Sequence, residues 1–348
     1  MIRRIGFVLA LAGIFGTSMS AAAQSDVQEA LGWLRTQQAS DGGFSNGFSE
    51  GSDVGATADA VVAIASAGED PSTWKHGGLS TVDYLAGHAG EVEDPGLMAK
   101  VALAAVAAGQ DPRAFGGVDL LGTILGAFDP GTGYFGGGPY DSALSILALR
   151  AAQEPLPPKA VDGLLAARQA EGSYSFSGDP TPGTGDSNTT GLVVQALLVA
   201  GAGGEAAPSL DYFRRVQNAD GGWTYQKPSA FGEDTDANST ALGIQALLAA
   251  GQDLAAWGHP ERALQALQLE NGALMFNAAA PGENLLATVQ AIPALANVDM
   301  TDVALLPLRW GADAGRASGQ AILVATLVLI GGLLLGAALL GRPPRAES

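Results

Sequence analysis

The feature that most constrains this chain is a pattern repeated six times: an amphipathic helical segment, a turn, and a segment that is apolar on nearly every face. Residues 191–200 and 241–250 are clear examples of the apolar segments. A helix without a polar face must be buried on all sides. Six such helices and six amphipathic partners predict an inner ring inside an outer ring, with an open solenoid as the alternative architecture.

The helical hairpins are spread along most of the chain. Their first helices are predicted over residues 30–38, 82–88, 120–128, 164–169, 212–217 and 264–268. Their second helices are predicted over residues 57–67, 96–108, 141–150, 190–200, 240–250 and 284–295. Glycine follows several of the second helices, as expected where a helix must stop.

A turn motif joins the two helices of a hairpin. Its clearest copy has an aromatic residue and leucine, then Gln, Gly and a second aromatic residue, at Trp33, Leu34, Gln38, Gly42 and Phe44. Equivalent positions are assigned to Gln169 and Tyr174, to Gln217 and Trp223, and to Gln268. A glutamine amide can bond the free backbone groups at helix ends, and an aromatic ring can fill the gap between hairpins. These residues are therefore predicted to be structural.

This motif resembles the repeat signature of the terpenoid cyclase and protein prenyltransferase superfamily, which includes squalene cyclase. The resemblance covers residues 26–298 and implies an all-α fold, an α/α toroid of about six hairpins. It also implies a choice of activities that the fold alone does not settle. The protein prenyltransferases hold zinc partly through cysteine, and complement-like proteins use a cysteine thioester. This chain has no cysteine, so both sites are excluded.

Class II terpenoid cyclases of this superfamily protonate an alkene with the central acid of an Asp-x-Asp-Asp-Thr-Ala motif. The similar segment here, residues 236–241, reads Asp-Ala-Asn-Ser-Thr-Ala, so both middle acids are missing. Asp234 and Asp236 form a close pair that is the weak alternative for the acid. A solvated loop followed by a helix cap is the simpler interpretation of this pair. The sequence therefore favours binding over catalysis.

The chain also resembles the cobalamin carriers intrinsic factor and transcobalamin, and bacterial non-catalytic toroids, in repeat number and in lacking catalytic residues. Polar residues recur at the starts of the second helices, which would meet at one end of the ring if those helices are parallel. They predict a ligand-binding rim of Asp53, Thr57, Asp141, Asp186, Asn188, Thr190, Asp236, Asn238, Thr240 and Asn284. The carriers clamp cobalamin with a second, β-rich domain, for which this chain has no room.

Other polar residues give weaker indications. Gln195, Gln245 and Gln290 occupy equivalent places in apolar helices, so they either bridge neighbouring helices or point into the centre of the ring. The segment 234–238 is similar to the opening of a calcium loop but lacks its glycine and its final glutamate, which leaves only a loose Ca²⁺ contact. The three histidines lie in different hairpins without metal-ligand spacing, so no metal site or cofactor is predicted apart from a bound cobalamin-like ligand.

The two ends of the chain carry targeting signals. Residues 1–23 have the basic start, apolar run and small residues of a signal peptide. Residues 320–341 are apolar for a length that spans a bilayer and are followed by Arg342 and Arg345. The predicted organisation is a signal peptide at 1–23, a toroid at 24–298, a connector at 299–319, a transmembrane helix at 320–341 and a cytoplasmic tail at 342–348.

The net charge of −18 excludes nucleic acid as a partner, because nothing would neutralise phosphates. The sequence thus predicts a protein anchored in the plasma membrane by its C-terminal helix, with an extracytoplasmic toroid that binds a small molecule or another surface macromolecule. The alternatives are a class II cyclase-like enzyme acting on a polyprenyl lipid and a cell-surface interaction or spacer domain.

Overall fold

Six helices form a closed inner ring in the computed structural model, which describes residues 21–48, 50–230 and 232–310. The inner helices are α2 (Val54–Ser66), α4 (Pro95–Ala107), α6 (Pro139–Ala151), α8 (Ser187–Val199), α10 (Ala237–Ala249) and α12 (Leu285–Leu295). Each contacts the next, and α12 packs against α2. This last contact closes the ring and excludes the open solenoid.

The outer ring alternates with the inner one along the chain. Its helices are α1 (Ala21–Gln37), α3 (Thr81–His88), α5 (Leu120–Gly126), α7 (Ala160–Ala167), α9 (Ala207–Val216) and α11 (Pro260–Gln265). Helices α3 to α11 each pack on the preceding inner helix, whereas α1 packs on α12. The side chains of α8 and α10 are buried over most of their length, as helices with no polar face require.

Short strands and 3-10 turns complete the fold. Three antiparallel pairs, not predicted from the sequence, are β1 (Lys75–His76) with β2 (Leu79–Ser80), β3 (Phe128–Asp129) with β4 (Tyr134–Phe135), and β5 (Met275–Asn277) with β6 (Ala280–Glu283). The 3-10 helices are Pro71–Thr73, Ala89–Glu91, Gly203–Ala206, Leu254–Trp257 and Met300–Leu305, and a last short helix, α13, is Pro307–Trp310.

Three turn glutamines each tie their own hairpin to the next outer helix. Gln38 Nε2 donates to the carbonyl of Gly42 in its own turn and to that of Trp74, which precedes α3, at 3.0 and 2.9 Å. Gln217 makes the same pair of bonds to Gly221 and Trp257. Gln268 bonds Gly272 and Asp26 in the same way. The bond from Gln268 to Asp26 joins the last hairpin of the ring to the first.

The fourth hairpin departs from this arrangement by one residue. Arg168, four residues before Gly172 as Gln38 is before Gly42, donates to the carbonyl of Glu205 (2.9 Å). Gln169, to which the sequence assigned this role, instead donates to Asp179 O and Thr184 Oγ1. A guanidinium reaches the next outer helix from this position as the amide does elsewhere, which explains why the sequence spacing is one residue short.

The turn glycines adopt a backbone conformation that would be strained for any other residue. Gly42, Gly172, Gly221 and Gly272 have φ values of +89°, +91°, +94° and +90°, in the left-handed half of conformational space. A Cβ on Gly172 or Gly272 would lie 2.1 Å from a carbonyl oxygen of the next outer helix. Two requirements, positive φ and close backbone approach, therefore fix glycine at this point of the motif.

Candidate functional site

The starts of the inner helices gather at one end of the ring, here called the mouth. A Cβ added to Gly55 of α2 would lie 3.3 Å from a side-chain carbon of Leu97 in α4. A Cβ added to Gly96 of α4 would clash with the Asp141 carboxylate of α6. Ser187, the first residue of α8, bonds the loop that leads into α10. Asn238 of α10 donates to Gln290 of α12 at 2.9 Å. Successive helix starts are therefore neighbours around one opening.

Most of the carboxylates and amides predicted for the rim cap these helices. The side-chain oxygens of Asp53, Asp186, Asp236 and Asn284 accept the backbone N–H groups of Ala56, Thr189, Ser239 and Ala287 at 2.7, 2.7, 2.7 and 2.8 Å. Asp94, not predicted, caps α4 in the same way. Helix N-termini favour negative charge, so the caps place an acidic ring around the mouth.

The threonines predicted for the rim are buried between the inner helices and the turns, and they bind the turns through hydrogen bonds. The hydroxyls of Thr57, Thr190 and Thr240 accept the backbone N–H of Phe44, Tyr174 and Trp223 at 2.9, 3.0 and 3.0 Å. Ser142 and Thr288 do the same for Phe135 and Leu274. All five hydroxyl side chains are buried, so they fix the turns to the inner helices and present no ligand-binding group.

The remaining predicted site residues differ in exposure. Asp141 is buried, accepts the N–H of Gly137 at 2.8 Å, and has a pKa raised first by burial and further by the charge of Asp94. Asn188 Oδ1 is buried without a hydrogen-bond partner among the described residues. Asp234 is exposed in its loop, whereas Asp236 is buried and its pKa is raised by that burial. The two acids of the predicted pair thus sit in different environments.

Exposed aromatic side chains surround the mouth, and sequence reasoning missed them. Phe48, Phe176, Tyr225 and Phe276 expose 89%, 53%, 46% and 38% of their surface. The last three each lie two positions after the buried residue of a turn motif, at Tyr174, Trp223 and Leu274. That recurring position, read as part of the repeat, is the signal that could have found them. Four large exposed rings are a costly feature unless something covers them.

Backbone hydrogen bonds place these rings over the neighbouring inner helix. Tyr225 O accepts the N–H of Ser187 (2.8 Å), at the start of α8. Phe176 O accepts the N–H of Tyr140 (3.4 Å), at the start of α6, and the two rings pack with centroids 4.8 Å apart. Asn277, next to Phe276, pairs with Asp236 at the start of α10. Phe176, Tyr225 and Phe276 therefore lie beside the starts of α6, α8 and α10.

Asp186 and Tyr225 form the most perturbed acid–phenol pair of the mouth. Burial raises the pKa of Asp186 to about 6, although hydrogen bonds from the helix start lower it. Burial, with the nearby charge of Asp186, raises the pKa of Tyr225 to about 12. Asp186 Oδ2 has no hydrogen-bond partner among the described residues. This carboxyl group thus caps α8 and interacts with the hydroxyl of the partly exposed Tyr225.

A small cavity lies on the axis of the ring below the mouth. It has a volume of about 40 Å³ and its polar lining is Asp59, Lys100, Tyr140, Gln245 and Gln290. Its apolar lining is Val62, Leu192, Leu242, Val289, Pro293 and Met300. The centre of the ring is therefore largely filled by side chains, and its remaining space is far below the roughly 300 Å³ of common small-molecule pockets.

One ion pair spans the cavity wall. Lys100 Nζ lies 2.9 Å from Asp59 Oδ2, and both side chains are about four-fifths buried, with 20% and 18% of their surfaces exposed. Burial alone would lower the pKa of Lys100, but the Asp59 charge and hydrogen bond raise it above its usual value. The lysine is therefore charged and held by Asp59, and the pair is neutral overall.

No family model and no curated protein matches this sequence. Solved structures do: type II terpene cyclase MstE from Scytonema has a TM-score of 0.58 at 14% identity, covering 80% of this chain and 98% of the cyclase. A protein from Actinoplanes gives 0.57 at 15% identity over 79% and 99%. An unsaturated glucuronyl hydrolase from Streptococcus agalactiae gives 0.54 at 13% identity over 81% and 93%. The fold is an α/α toroid.

The architecture implied by the resemblance of the repeats is thus confirmed. The matched proteins include a terpene cyclase and an unsaturated glucuronyl hydrolase, and such different activities on one toroid show that the fold does not assign the activity. The function of this toroid has to be argued from its own mouth and centre.

The end of the toroid opposite the mouth is closed by residues 299–310. Met300 N donates to Gln195 Oε1 at 2.8 Å, and Arg309 Nη1 donates to Ser66 O, at the end of α2, at 3.2 Å. Val303 and Leu306 are fully buried. The sequence placed this segment in the connector beyond the toroid; it packs into the ring instead because its apolar residues cover the ends of α4, α6 and α8.

The predicted metal and membrane features are addressed only in part. Within residues 21–48, 50–230 and 232–310, no three His, Cys, Asp or Glu side chains are grouped as a metal site. Over the same ranges, no helix combines the length and hydropathy that a bilayer crossing needs. The transmembrane helix predicted at 320–341 and residues 1–20 of the predicted signal peptide lie outside the described residues.

Proposed function

We propose that this chain is a membrane-anchored, extracytoplasmic binding protein that holds its ligand across the mouth of the toroid. The observation that carries the proposal is the set of exposed aromatic rings at the mouth: Phe176, Tyr225 and Phe276 beside the starts of inner helices, and Phe48 in the loop before α2. Aromatic side chains supply large contact areas at low entropic cost, and the polar caps beside them supply orientation.

The shape of the site indicates the kind of ligand. A central cavity of about 40 Å³ admits no drug-sized molecule, so the body of the ligand lies on the rim. Rings distributed around the opening suit a broad ligand with an apolar face and polar edges, and a cobalamin-like molecule has this form. The acidic caps favour neutral or cationic ligands over anionic ones.

The alternative of a class II cyclase-like enzyme is less well supported. A structure of the matched cyclase is titled as a complex with geranylgeranyl dihydroxybenzoate, a substrate that would need a large central pocket. Here the centre is filled, and Asn238, at the place of the missing acid, is an amide bonded to Gln290. An amide is no proton donor for an alkene.

A surface interaction or spacer domain is the second candidate function. The filled centre favours it, because a toroid that only displays its surface needs no internal pocket. The exposed rings would then contact a partner macromolecule in place of a small ligand, and the same substitutions would weaken that contact.

Binding of hydroxocobalamin to the full-length protein in detergent, measured by equilibrium dialysis, tests the proposal. We expect retention by the wild type and an affinity loss of about tenfold in Phe176→Ala and Tyr225→Ala, the loss typical of an interface anchor. Leu308→Ala, a half-buried apolar position at the closed end, is the matched control and should bind normally.

Absence of binding would remove the cobalamin-like ligand, and equal binding by all variants would remove the mouth as its site. Turnover of a polyprenyl substrate by the same preparation would establish the enzyme in its place.

A further inference from the structure

The polar groups of the central cavity are not all satisfied. Gln245 is almost fully buried, lines the cavity, and its Oε1 has no hydrogen-bond partner among the described residues. Its Nε2 makes a long bond to the carbonyl of Gln290 (3.5 Å), which leaves the oxygen as the free atom. A buried acceptor without a donor costs free energy, so a donor is missing from the space that it faces.

The equivalent glutamine of the preceding repeat shows that this state is not imposed by the fold. Gln195 lies 50 residues before Gln245, in the same place in α8, and is also buried. Its Oε1 accepts the N–H of Met300, and its Nε2 bonds Gly191 O. The closed end of the toroid thus satisfies one glutamine and leaves the other facing the cavity.

The opposite wall of the cavity supplies donors. Lys100 uses one N–H for Asp59, and an ammonium group has three. The Tyr140 hydroxyl, at the start of α6 and hence nearest the mouth, also lines the cavity. Asp59 and Lys100 lie one helical turn further from the mouth than Tyr140, and Gln245 lies further still. A group entering from the mouth therefore meets a donor on one side and an acceptor on the other.

The charges of the cavity exclude ionised groups. A carboxylate could accept from Lys100 but would face Asp59 and the Gln245 oxygen. An ammonium group could donate to Gln245 but would face Lys100. The ion pair is already neutral, so a further charge would be buried without compensation, at high cost. An uncharged group with both a donor and an acceptor fits all three side chains.

We propose that the centre of the toroid is a subsite for an uncharged carboxamide end group, which donates to Gln245 Oε1 and accepts from Lys100 Nζ. The volume of about 40 Å³ equals that of about three waters, so it takes an end group and not a whole ligand. The subsite deepens the proposed function and rests on it, because the rim would hold the rest of the same molecule.

Saturation-transfer NMR on the full-length protein in deuterated detergent tests the subsite with three probes of similar size: propionamide, propionate and propylammonium. We expect saturation of propionamide alone at about 10 mM, a concentration suited to so small a ligand. Gln245→Leu should lower the affinity for propionamide by at least about fivefold, as loss of a buried hydrogen bond does. Leu308→Ala, at the closed end and outside the cavity lining, is the control and should bind propionamide normally, and the circular dichroism of both variants must match the wild type.

Three results would overturn the subsite: no saturation of propionamide, equal saturation of an ionised probe, or unchanged binding in Gln245→Leu. The first would mean that water alone occupies the cavity. Phe176→Ala separates this test from that of the proposed function, since this variant should bind hydroxocobalamin more weakly and bind propionamide as the wild type does. If the wild-type protein bound propionamide but not hydroxocobalamin, the rim ligand would be rejected and the subsite would remain.

Discussion

The two ends of this toroid are built from the same six helices but are finished in opposite ways. At the mouth, side chains cap five of the six inner helices, and aromatic rings stand exposed beside the helix starts. At the other end, residues 299–310 cover the helix ends with fully buried apolar side chains such as Val303 and Leu306. One end is therefore closed by packing, whereas the other leaves aromatic side chains exposed.

Gln195 and Gln245 show this difference at the scale of single residues. Both are buried amides at equivalent places, yet only Gln195 finds a donor for its oxygen, at Met300. Natural proteins keep unsatisfied buried groups where function needs them. Substitutions at the two ends should therefore differ in their effects.

The largest effect is expected from shortening a buried side chain at the closed end. Leu306→Ala removes a fully buried side chain and should lower the free energy of unfolding by about 3 kcal/mol, through lost burial and the cavity left behind. Urea unfolding followed by circular dichroism measures it. A change near zero would mean that residues 299–310 only rest on the ring.

The next effect concerns pH and should be shared by both ends. Burial raises the pKa of Asp186, at the mouth, and of Asp299, at the closed end, to about 6 in each case, against about 3.9 in the unfolded chain. Because the folded pKa is the higher one, protonation favours the folded state. This contribution is complete below pH 4 and is lost as the pH rises through 6, by at most about 3 kcal/mol per group.

Unfolding free energies from pH 4 to pH 8 check this expectation. Asp186→Asn and Asp299→Asn keep an oxygen for the cap bonds at Thr189 and Thr301, so each should flatten part of the pH profile. Profiles that superimpose on that of the wild type would show that neither carboxylate titrates in this range.

The paired glutamines should respond in opposite directions. Gln195→Leu leaves the Met300 N–H without its partner and should cost about 2 kcal/mol, whereas Gln245→Leu removes an unsatisfied oxygen and should leave stability unchanged or raise it. Thermal unfolding of the two variants side by side measures the difference. Equal destabilisation would argue that Gln245 has a structural role like that of Gln195.

The smallest stability effect is expected at the mouth. Phe176→Ala and Phe276→Ala remove partly exposed rings and should change the free energy of unfolding by less than about 0.5 kcal/mol, as surface substitutions do. Urea titrations provide the measurement. A loss comparable to that of Leu306→Ala would mean that these rings stabilise the fold and were not left free for a ligand.

Much of the scaffold could be predicted from sequence, and less of the site. The six hairpins followed from apolar periodicity, and the caps Asp53, Asp186, Asp236 and Asn284 followed from an Asp or Asn before an apolar run, whereas the cap Asp94 did not. The role of Arg168 did not follow, because the motif was read by its glutamine and not by its distance to Gly172. The exposed aromatic residues were missed because a ring two positions after a turn carries no local sign of its exposure.

The placement of six apolar helices inside six amphipathic ones follows from the amino-acid sequence, because burial of an apolar face is a local and non-directional requirement. The closure of one end by residues 299–310, the nearly filled centre, and the hydrogen bond that Gln195 makes and Gln245 lacks follow from three-dimensional packing. These outcomes depend on partners far apart in the chain, such as Gln195 and Met300, 105 residues apart. Hydrogen bonds are directional, so no periodic pattern specifies which of two equivalent amides will meet its donor.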